Sequence, residues 1–494
     1  MATASTIPAM SAADLSAAIH ARQVSCREAM VAHLDRIDAV NPALNAIVSL
    51  RGRDTLLAEA DARDAELARG ASRGWMHGLP HAVKDLAATA GIATTLGSPL
   101  LAGFVPPRDA FFVERLRAAG AVLIGKTNVP EFGLGSHTFN EVFGATRNPY
   151  DPSRSAGGSS GGAAAALAAR LVPVADGSDM MGSLRNPAAW CNVYGFRPSF
   201  GRVPAGPGTE PYLQQLSTDG PMARSVRDLA LLMSTMAGFE PRAPMSLDGD
   251  GSPYARFADD AGARRGDGDP GVVRGLRIGW LGDWGGHLPF EDGVLDLCRQ
   301  ALGVFERELG CIVEDLAPPF SAQRLWECWI GLRSTLVGGR LQDFHRDPAR
   351  GARMKPEAQW EAQRGTTAGA LDFYRASETR AAWHAAALAA FERVDFLALP
   401  AAQVFPFDVT LRAPDAVGGR PMDTYHRWME VVIAASLLGA PALSVPAGFG
   451  GPARLPMGLQ LIGPPRADLA VLRLAHAYDA VTGWPVSVPP APGA

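Results

Sequence analysis

Gly157-Gly158-Ser159-Ser160-Gly161-Gly162 leads directly into an alanine-rich run over residues 163–170. The glycines remove the steric restriction that a Cβ imposes, so the backbone can bring a serine hydroxyl into a crowded site. The alanines predict a helix whose N-terminal dipole faces the serines. A flexible Gly/Ser linker is the alternative, but a linker is rarely fixed between Asn148-Pro149 and so regular a helix. We therefore predict an ordered loop that presents serine hydroxyls.

A further serine, Ser183, ends the stretch Asp176-Gly177-Ser178-Asp179-Met180-Met181-Gly182. The backbone N–H groups of a short loop just before a serine are what a nucleophile with its own oxyanion hole requires. A Ser–His–Asp arrangement has no local support, because neither His81 nor His137 lies in a nucleophile-elbow context and a lone histidine is more often structural. Ser183 is therefore the candidate nucleophile.

Only three of the 46 basic residues are lysines, namely Lys84, Lys126 and Lys355. Arginine keeps its proton in a protein, whereas a buried lysine can lose it and act as a base. Lys84 follows the apolar run 79–83, which would remove water from around its amine. A lysine retained in such a chain is a candidate for proton transfer, although chance alone could also leave three.

Residues 120–127 match the phosphate-binding pattern G-x-x-x-x-G-K-[ST] in form only. In a nucleotide-binding loop the strand precedes the first glycine, and open loop residues follow it. Here the intervening Ala-Val-Leu-Ile run is itself a strand, and Pro130 would fall in the first turn of the required helix. We reject nucleotide binding and predict a structural role near the core for Lys126.

The net charge and the cysteines indicate which partners and which cellular compartment to expect. The formal net charge of −4 gives no reason to expect a nucleic acid or an anionic membrane as a partner. The five cysteines are odd in number and form no C-x-x-C pair, which favours a reducing compartment over a disulfide framework or a zinc site. Residues 1–10 lack the basic and apolar segments of a signal peptide. We predict a cytoplasmic protein.

Residues 431–449 are uncharged and long enough to resemble a membrane span. Pro441 and Pro446, together with Gly439 and Gly448, argue against a continuous helix there. A helix end followed by a buried strand is the better interpretation, so we predict no membrane contact.

The chain divides by pattern into two parts. Residues 1–70 predict a helical segment packed on the core, with Ser11 and Ser25 as helix N-caps and a break at Asn41-Pro42. Residues 71–494 predict a single α/β domain, in which a surface loop over 238–273 opens a helical, variable region of about 238–430. Predicted strands lie at 276–281, 396–399, 442–445 and 455–462, and predicted helices at 292–309, 322–344 and 356–393.

The run from Gly157 through Ser199 resembles the amidase signature, a Gly/Ser-rich block followed by a G-S-x-R-x-P-A element. The resemblance extends over nearly the whole chain and is weakest over 238–430. It implies an α/β amidase-signature fold, with a large mixed β-sheet flanked by helices on both faces and a helical region in the C-terminal half. Further blocks that resemble the family are residues 79–85, 125–132, 146–149 and 441–446.

The resemblance also implies a catalytic triad. Lys84 matches the family's lysine, Ser159 its serine in an unusual cis peptide after Gly158, and Ser183 its nucleophile. Counted from Ser159, the spacing to the nucleophile fits the family, so Ser160 is assigned a supporting role. Ser159 would relay the Ser183 proton to Lys84, and water would release an acyl-enzyme. No metal and no organic cofactor is required.

The loop before the nucleophile departs from the family pattern, because Met181 stands where a glycine is usual. The four backbone N–H groups of Met180, Met181, Gly182 and Ser183 are the predicted oxyanion hole. Met180 and Met181 are also the candidate substrate pocket, and their flexible apolar side chains favour apolar or aromatic substrates. Asp179 and Arg185 are predicted to support this loop through an ion pair.

Three functions remain open at the level of sequence. The first is a free-standing hydrolase of small carboxylic amides, anilides, esters or aryl carbamates, the last making it a urethanase candidate. The second is the amide-cleaving subunit of a tRNA-dependent amidotransferase. The third is a catalytically silent ligand-binding protein on the same scaffold. The favoured first function predicts a small-molecule substrate and no nucleic-acid partner, with a homodimer left open.

Overall fold

A computed structural model describes residues 6–208, 210–264, 266, 269–488 and 490. Part of the N-terminal stretch 1–10, in which no signal peptide was predicted, lies outside these residues. So do three positions of the predicted loop 238–273.

Helices and strands alternate along most of the described chain. The α-helices are α1 Ala12–His20, α2 Cys26–Leu44, α3 Arg53–Ala68, α4 Phe111–Ala118, α5 Gly161–Ala168, α6 Arg185–Trp190, α7 Val226–Met236, α8 Ser252–Ala263, α9 Val294–Arg307, α10 Ala322–His345, α11 Pro348–Gly351, α12 Pro356–Thr367, α13 Ala370–Phe391, α14 Ile433–Leu438, α15 Asp468–Thr482 and α16 Trp484–Ser487. The strands are β1 Ile47–Val48, β2 Pro80–Lys84, β3 Val122–Thr127, β4 Phe139–Asn140, β5 Gly144–Ala145, β6 Ala175–Asp179, β7 Tyr194–Arg197, β8 Thr218–Ala223, β9 Arg277–Trp280, β10 Ile312–Asp315, β11 Phe396–Pro400, β12 Ala416–Val417, β13 Arg420–Pro421, β14 Ala442–Gly450 and β15 Leu455–Ile462.

A mixed eight-stranded sheet forms the centre of the molecule, in the order β10-β9-β11-β15-β14-β7-β8-β6. Beside its β6 edge lies a three-stranded sheet in the order β1-β3-β2. The backbone N–H of Lys84 on β2 donates to the Asp176 carboxylate on β6, 3.1 Å away. The prediction of a large mixed sheet with flanking helices is confirmed, and strands from the C-terminal part complete it as expected.

The N-terminal segment contributes more than helices, because β1 pairs antiparallel with β3. The Ser11 and Ser25 hydroxyls cap α1 and α2 as predicted. The predicted break at Asn41-Pro42 is wrong, since α2 continues through Pro42 to Leu44 and is capped by Asn45 in the left-handed conformation. A proline this close to a helix end costs only one backbone hydrogen bond.

The predicted surface loop over 238–273 contains a helix, α8, so that prediction is partly wrong. The Gly- and Asp-rich composition concealed apolar residues at helical spacing, Tyr254, Phe257, Ala258 and Ala261, which are all buried. This helix packs against α7. The predicted helix 356–393 is divided into α12 and α13, because the chain leaves the helical conformation at Ala368 and Gly369. The predicted strand 442–445 continues to Gly450 in β14. The other predicted strands and helices of the C-terminal half are present with small shifts in their bounds.

Residues 431–449 form the end of a 3₁₀ helix, then α14 and then β14, as predicted. Among the described residues, no helix is long and apolar enough to cross a membrane.

The structure agrees with the rejection of the phosphate-binding pattern over 120–127, since its central residues form β3. Lys126 Nζ there donates to the Ala87 carbonyl at 2.6 Å and to Thr89 Oγ1 at 2.7 Å.

Candidate active site

Lys84 ends β2 at the junction of the two sheets, and its side chain is 1% exposed. Its amine donates to Ser159 Oγ at 2.9 Å, to Ser160 Oγ at 2.7 Å and to Ser178 Oγ at 2.9 Å. The Ser178 carbonyl accepts a longer bond, of 3.3 Å. The lysine and the serine block, far apart in sequence, are therefore brought into direct contact.

The pKa of the Lys84 amine is lowered from 10.5 to about 7, chiefly because burial penalises the charged form. The carboxylates of Asp219, Asp176 and Asp179 oppose this shift. A pKa near neutrality leaves a useful fraction of the amine uncharged at pH 7. The amine can then accept a proton, as a general base must.

The serine block is an ordered loop that leads into α5, as predicted. The peptide bond between Gly158 and Ser159 is cis. Gly162, in the first turn of α5, packs so tightly that a Cβ there would lie 2.3 Å from the Asn128 nitrogen. Only glycine fits this close approach, which holds the start of the helix against β3. The buried core around α5 also includes apolar residues of α1 and α2.

Ser183 lies on the wall of a cavity together with Ser159. No hydrogen bond joins the two hydroxyls within the described part of the chain, although the Ser160 N–H donates to the Ser183 carbonyl at 3.2 Å. Catalytic hydrogen bonds are often long before substrate binds and tighten only in the complex. The arrangement therefore places Ser159 and Ser183 on the wall of one cavity, with the Lys84 amine in contact with Ser159.

The Asp179 carboxylate organises the loop before Ser183. It accepts from the Gly182 N–H at 2.9 Å and from the Leu184 N–H at 3.2 Å. The predicted oxyanion hole needs a correction here, because the Gly182 N–H is already occupied by this carboxylate. The N–H groups of Met180, Met181 and Ser183 remain as candidate oxyanion donors.

Arg185 and Arg197 neutralise Asp179 in a fully buried cluster. Arg185 donates to both carboxylate oxygens at 3.0 Å, and Arg197 Nη1 lies 3.3 Å from one of them. Burial alone would raise the pKa of Asp179, but the Arg185 and Arg197 charges hold it well below its usual range. The supporting roles predicted for Asp179 and Arg185 agree with these contacts.

We expect Arg185→Met to lower the free energy of unfolding by about 3–5 kcal/mol, because removal of one partner leaves a buried charge undercompensated. Urea denaturation at pH 7 measures this loss. Arg277→Met is the matched control, since Arg277 pairs with Glu314 at 3.0 Å on the surface, where such a pair contributes about 1 kcal/mol or less. Equal losses in the two variants would contradict a structural role for Arg185.

The cavity beside Ser183 has a volume of about 240 Å³ and a mostly apolar wall. Met180 and Met181 both line it, and Met181 is also packed into the core at 3% exposure. The apolar residues of the wall are Leu86, Leu96, Phe132, Leu134, Met180, Met181, Val337, Leu341, Phe344 and Met429. Trp190 and Phe196, which follow Ser183 in sequence, lie in the core and do not line this cavity.

Several site residues were missed by sequence reasoning. Arg333 on α10 lines the cavity, donates to Glu361 at 2.6 Å and to Tyr425 at 2.8 Å, and touches Met180 Sδ at 3.6 Å. Ser178 and Asp219 lie near the lysine, on neighbouring strands. Ser178 could have been predicted from the sequence, because it stands one residue before Asp179, at the end of the strand that leads into the loop before Ser183.

Two kinds of comparison place the chain among known proteins. A family model described as Amidase matches residues 28–472. The chain belongs to the amidase family. A glutamyl-tRNA(Gln) amidotransferase subunit from Thermus thermophilus is 40% identical over 96% of this chain and 97% of its own.

Solved amidase structures share the fold over nearly the whole length. A bacterial aryl acylamidase of the amidase signature family superposes with a TM-score of 0.88, at 29% identity, covering 98% of this chain and 99% of its own. The corresponding glutamyl-tRNA(Gln) amidotransferase subunit of Thermotoga maritima gives a TM-score of 0.72 at 28% identity, with 91% and 90% covered. This amidase therefore has the amidase-signature fold and is a hydrolase that acts on carbon–nitrogen bonds other than peptide bonds.

The names of these relatives bear on the predicted partners. Amidotransferase subunits named for glutamyl-tRNA count in part against the prediction of no nucleic-acid partner for this amidase. Among the described residues, no group of three or more histidine, cysteine, aspartate or glutamate side chains could hold a metal ion. The absence of a metal requirement stays a prediction.

Proposed function

We propose that this amidase is a free-standing hydrolase of small amides with an apolar or aromatic group next to the scissile bond. The observation that carries the proposal is the apolar cavity wall, with Met180 and Met181, directly beside Ser183. A mostly apolar cavity of this kind favours an aryl or long alkyl group over a polar glutamine side chain, although Arg333 and Arg340 also line it. We expect anilides to be the best substrates, and aryl carbamates and esters to be hydrolysed as related substrates.

The proposed mechanism uses Lys84, Ser159 and Ser183. Neutral Lys84 takes a proton from Ser159, which takes the proton of Ser183 as the Ser183 oxygen attacks the carbonyl carbon. The N–H groups of Met180, Met181 and Ser183 would hold the oxyanion. The leaving amine then receives the proton by the reverse path, and water attacks the acyl-enzyme to regenerate Ser183.

A component of a tRNA-dependent amidotransferase is the second candidate, favoured by the 40% identity to such a protein over nearly the full length. The comparison of folds points the other way. At nearly equal identity, the TM-score is 0.88 to the aryl acylamidase and 0.72 to the amidotransferase component. A catalytically silent binding protein is disfavoured, because a buried amine with a lowered pKa is arranged against three serine hydroxyls.

The ratio of kcat/KM for an aromatic anilide to that for glutamine tests the proposal on the purified single chain. We expect the wild type to prefer the anilide. We expect Met181→Gly to lower the ratio about two- to tenfold, because a sulfur–aromatic contact contributes about 0.3–1.5 kcal/mol.

Met181→Leu is the matched variant, because it retains an apolar wall but lacks the sulfur; it should lower the ratio less than Met181→Gly, and the difference between the two variants measures the contribution of the apolar wall alone. A wild type that prefers glutamine, or that hydrolyses an amide only with added partner proteins and charged tRNA, would favour the second candidate. A ratio unchanged in Met181→Gly would contradict the role given to Met181.

We also propose the cytoplasm as the compartment of this protein. All five cysteines are buried free thiols, an arrangement typical of a reducing environment. Burial raises the pKa of each of these thiols, so little reactive thiolate is present at neutral pH.

A further inference from the structure

Asp219 is a carboxylate near the Lys84 amine to which the mechanism above gives no role. It lies on β8 directly opposite Ser178 of β6 in the antiparallel ladder. Residues paired in this way present their side chains on the same face of a sheet. Because Ser178 Oγ accepts from Lys84 Nζ at 2.9 Å, this face carries Asp219 towards the amine.

Asp219 differs from the other two carboxylates near the amine in having no fixed partner. Asp176 accepts from His81 Nε2 at 2.9 Å and from the Lys84 N–H, and Asp179 is held by two arginines. Within the described part of the chain, the half-buried Asp219 carboxylate forms no hydrogen bond and no close ion pair. Its charge is therefore available to the amine.

The charges that face the two groups come from four elements, β2, β6, β8 and α10. Lys84 is faced by Asp176 and Asp179 of β6 and by Asp219 of β8, and Asp219 opposes the lowering of the Lys84 pKa more than the other two. Asp219 is faced by Asp176, by Lys84 and by Arg340 of α10. Burial, with Asp176 next, raises the pKa of Asp219 to about 7.

We propose that Asp219 is a positioning residue for proton transfer, whose negative charge stabilises the Lys84 ammonium formed when Ser183 is deprotonated. The inference rests on the proposed triad. In that step the Ser183 O–H bond breaks, Ser159 receives this proton, and Ser159 gives its own proton to Lys84 Nζ. Asp219 exchanges no proton and acts only through its charge, which favours the cationic form of the amine.

The pH dependence of Ser183 labelling by a fluorophosphonate tests the proposal without knowledge of the substrate. In the wild type the labelling rate should rise with pH as Lys84 loses its proton. This rising part of the rate–pH curve is the limb, and its midpoint reports the pKa of Lys84. Asp219→Asn and Asp219→Ser should move this limb to lower pH by about one unit, because the ammonium loses its counter-charge. The plateau rate should fall severalfold, since a less basic amine is a weaker general base.

Asp219→Glu keeps the charge and should restore the wild-type limb. Asp296→Asn is the matched control, because Asp296 is exposed on α9 and is not among the charges that act on Lys84 or on Asp219. It should leave the limb unmoved.

A limb at the same pH in the wild type and in both neutral variants overturns the role of Asp219. So does loss of folding in both, since the carboxylate would then serve the fold. Failure of the triad itself looks different, because the wild type would then not be labelled or Ser183→Ala would still be labelled.

Discussion

Ser183→Ala should lower kcat/KM for an amide substrate roughly 10⁴–10⁶-fold, as expected when the nucleophile of a cooperating triad is removed. The fold should survive, because the Ser183 hydroxyl makes no hydrogen bond with any described residue and only one oxygen atom is lost. We expect the free energy of unfolding to change by less than about 1 kcal/mol. Steady-state kinetics and urea denaturation on the same preparation measure the two effects.

A matched control separates this result from a general effect of serine replacement. Ser252→Ala, at the exposed start of α8, should keep full activity. A fluorophosphonate should add one covalent label to the wild type and to Ser252→Ala, and none to Ser183→Ala. More than a few per cent of wild-type activity in Ser183→Ala would show that another group is the nucleophile.

The parts of the site that lie within continuous sequence motifs could be predicted from the sequence. The glycine-flanked serines predicted an ordered loop before a helix, and α5 begins within that block. The apolar run 79–83 predicted a desolvated lysine, and Lys84 is buried at the end of β2. These predictions succeeded because each depends on local backbone chemistry and burial, which a short stretch of sequence encodes.

Residues brought to the site by distant elements could not be predicted in this way. Asp219 lies near the amine because β8 pairs with β6 in a particular register, and no pattern around Asp219 specifies that register. Arg333 reaches the cavity on α10, in the region where the resemblance to the family is weakest. The predicted four-donor oxyanion hole was too large because the direction of a single N–H, that of Gly182, depends on where Asp179 lies.

The residues of the apolar cavity wall were likewise predicted only where they are close to Ser183 in sequence. Met180 and Met181 were predicted as wall residues from their place beside the nucleophile. Val337, Leu341 and Phe344 on α10 also line the cavity, and they follow one another at helical spacing. Their orientation towards Ser183 is a property of the packed helix and has no counterpart in a motif.

Lys84→Met should lower kcat/KM about 10²–10⁴-fold, because the general base is lost while the nucleophile remains. The wild-type kcat/KM should fall as the pH drops through about 7, since the pKa of Lys84 lies there and only the neutral amine accepts a proton. The acid limb should be absent in Lys84→Met. A pH profile of kcat/KM from about pH 5 to pH 9 measures both effects.

Lys84→Arg sharpens the test, because arginine keeps a positive charge but does not give up its proton in this range. If Lys84 acts only as a fixed cation, Lys84→Arg should retain much of the activity lost in Lys84→Met. If it acts as the base, both variants should be comparably inactive.

The pH dependence of stability supplies an independent check on Lys84. The folded-state pKa of Lys84, about 7, lies below its ordinary value of 10.5, so between these values the unfolded chain binds more protons than the folded chain. Stability of the wild type relative to Lys84→Met should therefore rise with pH from about 7 towards 10.5. Urea denaturation of both proteins at pH 7 and pH 9.5 measures the difference between their free energies of unfolding, and a value for the wild type minus that for Lys84→Met that stays constant or falls between these pH values would contradict a buried amine with a lowered pKa.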